Sequence, residues 1–307
     1  DTAEYVREKL GYLSRIAVCD AFAAEQVDAI ALAVAQIEKG KGFILGDMAG
    51  LGKGRICAGL QRYAKHIGKI PVFITIGPSL FSDAYRDIED IGSYWSDGQL
   101  PEPFIFNEDG IVQKVEGETV TTLFLPLKTK ETVAFCLKNE MPEWADVVFL
   151  TYSQLSQDIT NPENKNQIAK YNFLKAIAPN AIFVLDESHK GAGDGNIGSN
   201  LSSLIELSAG TMFSSATYSK VPKSMMLYIP KTDIMDSKIR PNTIIYAVAE
   251  NGEAIQEYIA SLLVKSGQMI RRERTFDKCK IEYEYMHYGE KEKYYKELFL
   301  TQLKNHP

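Results

Sequence analysis

The chain has 307 residues, 45% of them apolar, and a formal net charge of −6. That is enough for one large α/β domain, or one domain with a smaller appendage. It is too acidic for a wholesale basic nucleic-acid coat, although a local basic track remains compatible. The four cysteines (Cys19, Cys57, Cys136, Cys279) lie far apart without the paired spacing of a zinc site, which points to reduced thiols in a reducing compartment.

No apolar run approaches a membrane span and no signal peptide heads the chain, so no membrane partner is expected. The chain begins on Asp1 rather than methionine and stops just past a helical pattern, as expected of a piece of something longer.

Taken in order, residues 5–16 carry apolar side chains at helical spacing, and a second helix is expected over 23–38, ended by Gly40. That helix holds Gln26, whose amide offers a donor and an acceptor together and so suits adenine's edge, with a solvated glutamine as the plain alternative.

A short apolar strand, 42–45, then runs into Gly46-Asp47-Met48-Ala49-Gly50-Leu51-Gly52-Lys53-Gly54, followed by a helical pattern with Ile56, Leu60 and Tyr63. Strand, glycine-rich turn and helix place backbone N–H groups around phosphates, with a lysine reaching the β- and γ-phosphates. Two positions depart from the general phosphate-loop pattern. Asp47 replaces the first glycine, and Gly54 replaces the Ser or Thr whose hydroxyl ordinarily meets Mg²⁺.

Residues 71–76 form another buried strand, leading to a helix capped by Ser79 and containing Asp83, Arg86 and Asp87. Alternating strands and helices predict an open parallel sheet. Residues 93–120 have poor periodicity and look like an insertion outside the sheet, a small hairpin with one short strand at 104–106. Strands at 121–125 and 146–152 follow, with a short helix at 131–138 between them and a longer one ending at Ala178.

The apolar run 181–185 ends in Asp186-Glu187-Ser188-His189. Adjacent carboxylates at the tip of a buried strand, downstream of a phosphate loop, suit one chemistry: Asp186 beside Mg²⁺ and Glu187 polarising the water that attacks the γ-phosphate. His189 is placed to couple this strand to its surroundings by hydrogen bonding.

A glycine-rich loop is expected at 190–199, a helix at 203–207, and a strand at 211–215. At its tip, Ser215, Ala216 and Thr217 could relay nucleotide state to a moving partner. Beyond 221 the pattern loosens into an apparent extension, with a strand at 244–247, a helix at 253–265, an alternating stretch at 281–286 and a final helix at 291–303. The basic cluster Arg271, Arg272, Arg274, Lys278 and Lys280 reads as a solvated face or a phosphate contact.

Together these segments resemble the first RecA-like lobe of superfamily 2 helicases and translocases. Gly50, Leu51, Gly52, Lys53 and Gly54 match the first motif, Asp186 to His189 match a DEAH-type second motif as DESH, Ser215, Ala216 and Thr217 match the third, and Gln26 matches the upstream adenine-reading glutamine. Finer details resemble the strawberry notch-like branch, which includes eukaryotic regulators and phage- or plasmid-borne helicase–methylase proteins. These details are Gly52-Lys53-Gly54-Arg55, the stretches 79–92, 149–155 and 215–228, and a tail at 255–274.

The resemblance implies an α/β fold: a RecA-like P-loop NTPase domain with a central, mostly parallel sheet, a small insertion and a C-terminal extension. It divides into N-terminal helices (1–40), the ATPase lobe (41–220) and an extension (221–307) leading to a second lobe outside this chain. The implied cofactors are ATP and Mg²⁺, with the metal on Asp186, phosphate oxygens and water. Implied partners are DNA (RNA being equally compatible with the residues), the second lobe that supplies an arginine finger, and in some relatives a methylase domain. The compartment would be cytoplasmic in a bacterium or phage host and nuclear in a eukaryote.

Two rival classes are a P-loop nucleotide kinase and a nucleotide-sensing interaction module. The kinase would need a hydroxyl after Lys53 and an arginine-rich lid, neither of which is evident. The module would bind nucleotide without polymer-stimulated turnover.

Overall fold

The structure, a computed structural model, describes residues 1–48, 50–92, 100–193, 195–215, 225–234 and 241–272. Three helices open the chain: α1 (Thr2–Leu10), α2 (Arg15–Ala21) and α3 (Ala24–Ile37). Then come β1 (Gly42–Leu45), α4 (Lys53–His66), β2 (Ile70–Thr75), α5 (Leu80–Asp90) and β3 (Pro103–Ile105). A hairpin, β4 (Val112–Glu116) and β5 (Thr119–Phe124), is followed by α6 (Thr129–Cys136), β6 (Val147–Thr151), α7 (Lys165–Ile177) and β7 (Ala181–Leu185). The remainder is α8 (Asn196–Leu207), β8 (Gly210–Ser214), α9 (Met225–Tyr228), α10 (Pro241–Lys265) and β9 (Met269–Ile270).

Seven strands form one sheet in the order β3-β6-β2-β7-β8-β1-β9, and every recorded pairing in it is parallel. Strands of such a sheet are covered on both faces, which explains their near-continuous apolar runs. Alternate side chains go to opposite layers. Phe183 and Leu185 of β7 pack with α7 and α8, whereas Ile182 and Val184 face the layer built by α1, α3, α4 and α5. The consequence for function is placement: the C-terminal ends of β1, β2, β7 and β8 converge at one edge, where open α/β sheets bind ligands.

Five local expectations differ from the structure. The single helix expected over 5–16 is two, because Gly11 takes the left-handed conformation (φ 67°) that ends α1, and Ser14 starts α2 by accepting from Ala17 N at 3.2 Å. Leu13 and Ile16, which prolong the apolar periodicity, are exposed. Ser79 does precede α5, but its own backbone is already helical and its side chain makes no capping bond.

The strand within the expected 93–120 insertion is β3, and it pairs with β6 at the edge of the main sheet. The departure from the sheet is the β4–β5 hairpin, which turns at Gly117 (φ 61°). The loop expected over 190–199 is shorter, since α8 starts at Asn196; Gly198 lets the chain at Gly193 lie on its first turn, where a Cβ would sit 2.0 Å from the Gly193 carbonyl oxygen.

The strand expected at 244–247 lies inside α10, where Ile244 and Val248, four residues apart, are both buried on one helical face. Packing overrides the β-branched composition there. Among the described residues after 220, β9 adds a parallel strand beside β1. The features expected at 281–286 and 291–303 lie outside the described residues.

Candidate nucleotide site

The phosphate loop occupies the gap between β1 and α4. Gly50 (φ 83°) and Gly52 (φ 72°) both take backbone conformations that L side chains rarely adopt. A Cβ at Gly52 would also come 2.1 Å from Gln26 Nε2, so a side chain there would displace the Gln26 amide. Such glycines before a helix N-terminus allow the close backbone approach that cradles phosphate. Leu51 and Arg55 flank the turn, while Ala49 lies outside the described residues.

Lys53, the first residue of α4, turns back over the loop. Its Nζ donates to the Asp47 carbonyl oxygen at 3.2 Å and lies 3.9 Å from Glu187 Oε1. The loop and the Asp-Glu strand tip are therefore within reach of one ammonium group.

Asp186 sits at the end of β7, where its N–H bonds the Ile74 carbonyl at 2.8 Å and Thr75 Oγ1 donates to its Oδ2 at 2.9 Å. Burial raises its pKa above the ordinary carboxylate range, and the Thr75 hydrogen bond opposes that shift. Tyr152 bolts the same point from the other layer, donating its hydroxyl to the Asp186 carbonyl at 2.8 Å. Glu187 follows in the left-handed region (φ 47°), uncommon for a side-chain-bearing residue, and this aims its carboxylate at Lys53.

His189 Nδ1 lies 3.3 Å from Glu187 Oε2 and 2.9 Å from Ser215 Oγ. Ser215 N in turn donates to the Leu45 carbonyl at 3.0 Å, beside the phosphate loop. The second-motif carboxylate, the tip of β8 and the end of β1 are joined in one short circuit. Ala216 and Thr217 fall outside the described residues.

Gln26 reaches the site differently from the simple adenine reading. Its Oε1 accepts from Ala23 N at 2.9 Å and its Nε2 donates to the Gly52 carbonyl at 3.3 Å, so both ends of the amide are engaged within the chain.

Three further residues went unassigned in the sequence. Asp47, noted there only as a departure from pattern, is fully buried and paired with Arg272. Thr75 gave no signal beyond lying at a strand end, and Tyr152 entered only as part of the family-like stretch 149–155. Of the basic cluster, only Arg271 and Arg272 are described, and both face carboxylates: Arg271 pairs with Glu257 at 2.7 Å.

A family profile described as P-loop containing NTP hydrolase pore-1 matches residues 13–297. The chain belongs to that family. Protein strawberry notch of Drosophila melanogaster is 25% identical to this chain over 252 residues, 76% of the chain but 14% of that protein's length.

Among solved structures, the SWI2/SNF2 ATPase core domain of Sulfolobus solfataricus superposes with a TM-score of 0.51 at 15% identity, covering 81% of this chain and 42% of that one. A hypothetical ATP-dependent RNA helicase from Sulfolobus tokodaii gives 0.40 at 16% identity, over 74% of this chain and 53% of that one.

The strawberry notch-like resemblance and the RecA-like α/β fold with its mostly parallel sheet are thereby shown, and a P-loop NTP hydrolase of this fold supports ATP binding and hydrolysis in general. The chain spans less than half the length of the relatives of which it covers 14% and 42%. No helix among the described residues is long and apolar enough to cross a membrane.

Proposed function

We propose that this chain is the first, nucleotide-binding lobe of a DNA-dependent ATPase motor whose second lobe lies outside it. The observation that carries the proposal is the convergence on Lys53: one ammonium group lies 3.2 Å from the phosphate loop's Asp47 carbonyl and 3.9 Å from Glu187 at the tip of β7. A γ-phosphate drawn to Lys53 takes over its charge and frees Glu187 to accept a proton from the attacking water. The backbone of Gly50 to Gly54 holds the phosphates, and Gln26 fixes the loop from behind, close to where a base would lie.

Asp186 would hold a magnesium ion arriving with the nucleotide, and the ion would neutralise charge on the β- and γ-phosphates. The residues fit such an ion: the Asp186 carboxylate is held by the Thr75 hydroxyl and its backbone carbonyl by Tyr152, beside the glycine loop. The His189–Ser215 contact then carries the state of Glu187 to the tip of β8, which makes Ser215, Ala216 and Thr217 the proposed coupling segment toward the second lobe.

DNA is preferred over RNA on the sequence resemblance to helicase–methylase proteins. The test is ATP turnover by the complete two-lobed protein, with and without duplex DNA and RNA, beside Lys53→Ala. DNA-stimulated turnover that disappears in the variant is the expected result. Turnover indifferent to both polymers would move the assignment to a nucleotide-sensing interaction module.

A further inference from the structure

Gly54 leaves the phosphate loop without the hydroxyl that ordinarily completes a magnesium site, and the structure shows what lies there instead. A Cβ built on Gly54 would come 1.9 Å from Asp87 Oδ2 and 3.0 Å from its carboxyl carbon, closer than real Cβ contacts allow. A serine oxygen would lie about one bond length from that same Cβ. The α5 carboxylate therefore occupies the region into which a Ser or Thr side chain at position 54 would project. Glycine at 54 and aspartate at 87 are sterically complementary.

We propose that Asp87 replaces the missing hydroxyl as a magnesium-facing ligand, so that the nucleotide's metal is held between carboxylates from α5 and from the tip of β7.

One observation supports this assignment. The Asp87 carboxylate makes no hydrogen bond or ion pair among the described residues, although it is half-buried. Its charged neighbours are otherwise committed: Arg55 to Asp90 at 3.1 Å and Arg86 to Asp83 at 2.8 Å. A half-buried carboxylate with no partner carries a cost, and a cation relieves it.

The ligand chemistry is a hard divalent cation bound through oxygen. The inference rests on the nucleotide-site reading above, and the experiment separates their failures.

The test is Mn²⁺ titration followed by electron paramagnetic resonance on the chain saturated with a non-hydrolysable ATP analogue. Melting temperatures and metal-free nucleotide affinity are measured in parallel. Asp87→Asn is expected to weaken Mn²⁺ binding about 10- to 100-fold, as loss of a ligand or its support commonly does, while metal-free nucleotide binds at least as well. Gly54→Ser combined with Asp87→Ala clears the region that a serine side chain would enter and puts a hydroxyl there, and is expected to recover most of the Mn²⁺ affinity that Asp87→Ala alone loses. Equal Mn²⁺ affinity in wild type and Asp87→Asn would overturn the proposal, and so would a loss that the double variant does not recover. Failure of the wild-type chain to bind Mn²⁺ with the nucleotide would instead overturn the site reading itself, and this inference with it.

Discussion

Asp47 and Arg272 form a buried ion pair that ties the phosphate loop to the segment leaving the lobe. Asp47 is fully buried, and its carboxylate accepts from Arg272 N at 3.0 Å and from Arg272 Nε at 3.1 Å, with the NH2 end of the guanidinium also in contact. The backbone follows the same path, since Gly46 N bonds the Ile270 carbonyl at 2.8 Å and Met48 N bonds the Arg272 carbonyl at 3.1 Å. Pairing that begins as β9 on β1 thus continues along the loop. A side chain at Gly46 would disrupt it, meeting Met269 Cε at 2.9 Å. Because Lys53 hangs on the Asp47 carbonyl, the segment that follows β9 and this lysine share one anchor.

Removing the arginine isolates a charge that has no solvent. Arg272→Ala is expected to destabilise the chain by about 3–5 kcal/mol, the usual cost of leaving a buried charge unpaired. Adding Asp47→Asn should return part of that loss, because the orphaned charge goes with it. Urea unfolding of the single and double variants checks this. A single variant as stable as wild type would show that the pair contributes nothing to the fold.

Hydrolysis is assigned to Glu187 and binding to its neighbours, and substitution can separate the two. Glu187→Gln keeps the shape and one acceptor but cannot take a proton. It is expected to leave ATP affinity within about threefold and to reduce turnover about 100-fold or more. Equilibrium binding of a fluorescent ATP analogue beside single-turnover hydrolysis measures both. Full turnover in the variant would remove Glu187 from the reaction.

Gln26 yields a prediction about selectivity. Its amide is spent on Ala23 N and the Gly52 carbonyl, so its influence on nucleotide passes through the phosphate loop. Gln26→Ala is expected to weaken ATP and GTP alike, by about tenfold, the equivalent of one or two lost hydrogen bonds. Competition binding with both nucleotides decides the matter. A selective loss of ATP affinity would return Gln26 to reading adenine directly.

What could be read in the sequence, and what could not, follows from the range of the interactions. Gly50, Gly52, Lys53, Asp186 and Glu187 announce themselves because backbone approach and metal or proton chemistry each demand particular residue types within a few positions. The strands were legible because both faces are buried, which makes 42–45, 147–151 and 181–185 nearly continuous apolar runs.

The pairing of Asp47 with Arg272 spans 225 positions and no local pattern encodes it. The same holds for β9, two residues long, and for β3, three residues long, whose membership of the sheet depends entirely on their neighbours. At α10 the β-branched composition pointed to a strand, and a buried helical face decided otherwise. Gly54 looked like a defect until α5 supplied Asp87 beside it.

The last prediction concerns how the N-terminal helices are held to the phosphate-loop helix, and it is a matter of pH. Arg62 of α4 donates to the carbonyls of Leu10 at 2.8 Å and Gly11 at 3.3 Å and also to that of Gly92, while its guanidinium carbon lies 3.8 Å from the centre of the Tyr12 ring. Tyr12 donates its hydroxyl to the Ile91 carbonyl at 2.6 Å. Burial pushes the Tyr12 hydroxyl from 10.0 up to about 12, with the Arg62 charge opposing the shift.

Since the folded chain holds this proton more tightly than the unfolded one, the stability it confers is complete below pH 10 and is lost as pH rises through about 12. Two units correspond to about 3 kcal/mol at most. Tyr12→Phe forgoes the hydrogen bond, so at pH 8 it should be less stable than wild type by about 1 kcal/mol. Above pH 11 wild type loses its protonation-linked stability and the variant does not, so the gap should close and then invert. Urea unfolding at pH 8 and at pH 11.5 reads the crossing directly. A constant difference between the two proteins at both pH values would show that Tyr12 does not titrate with unfolding.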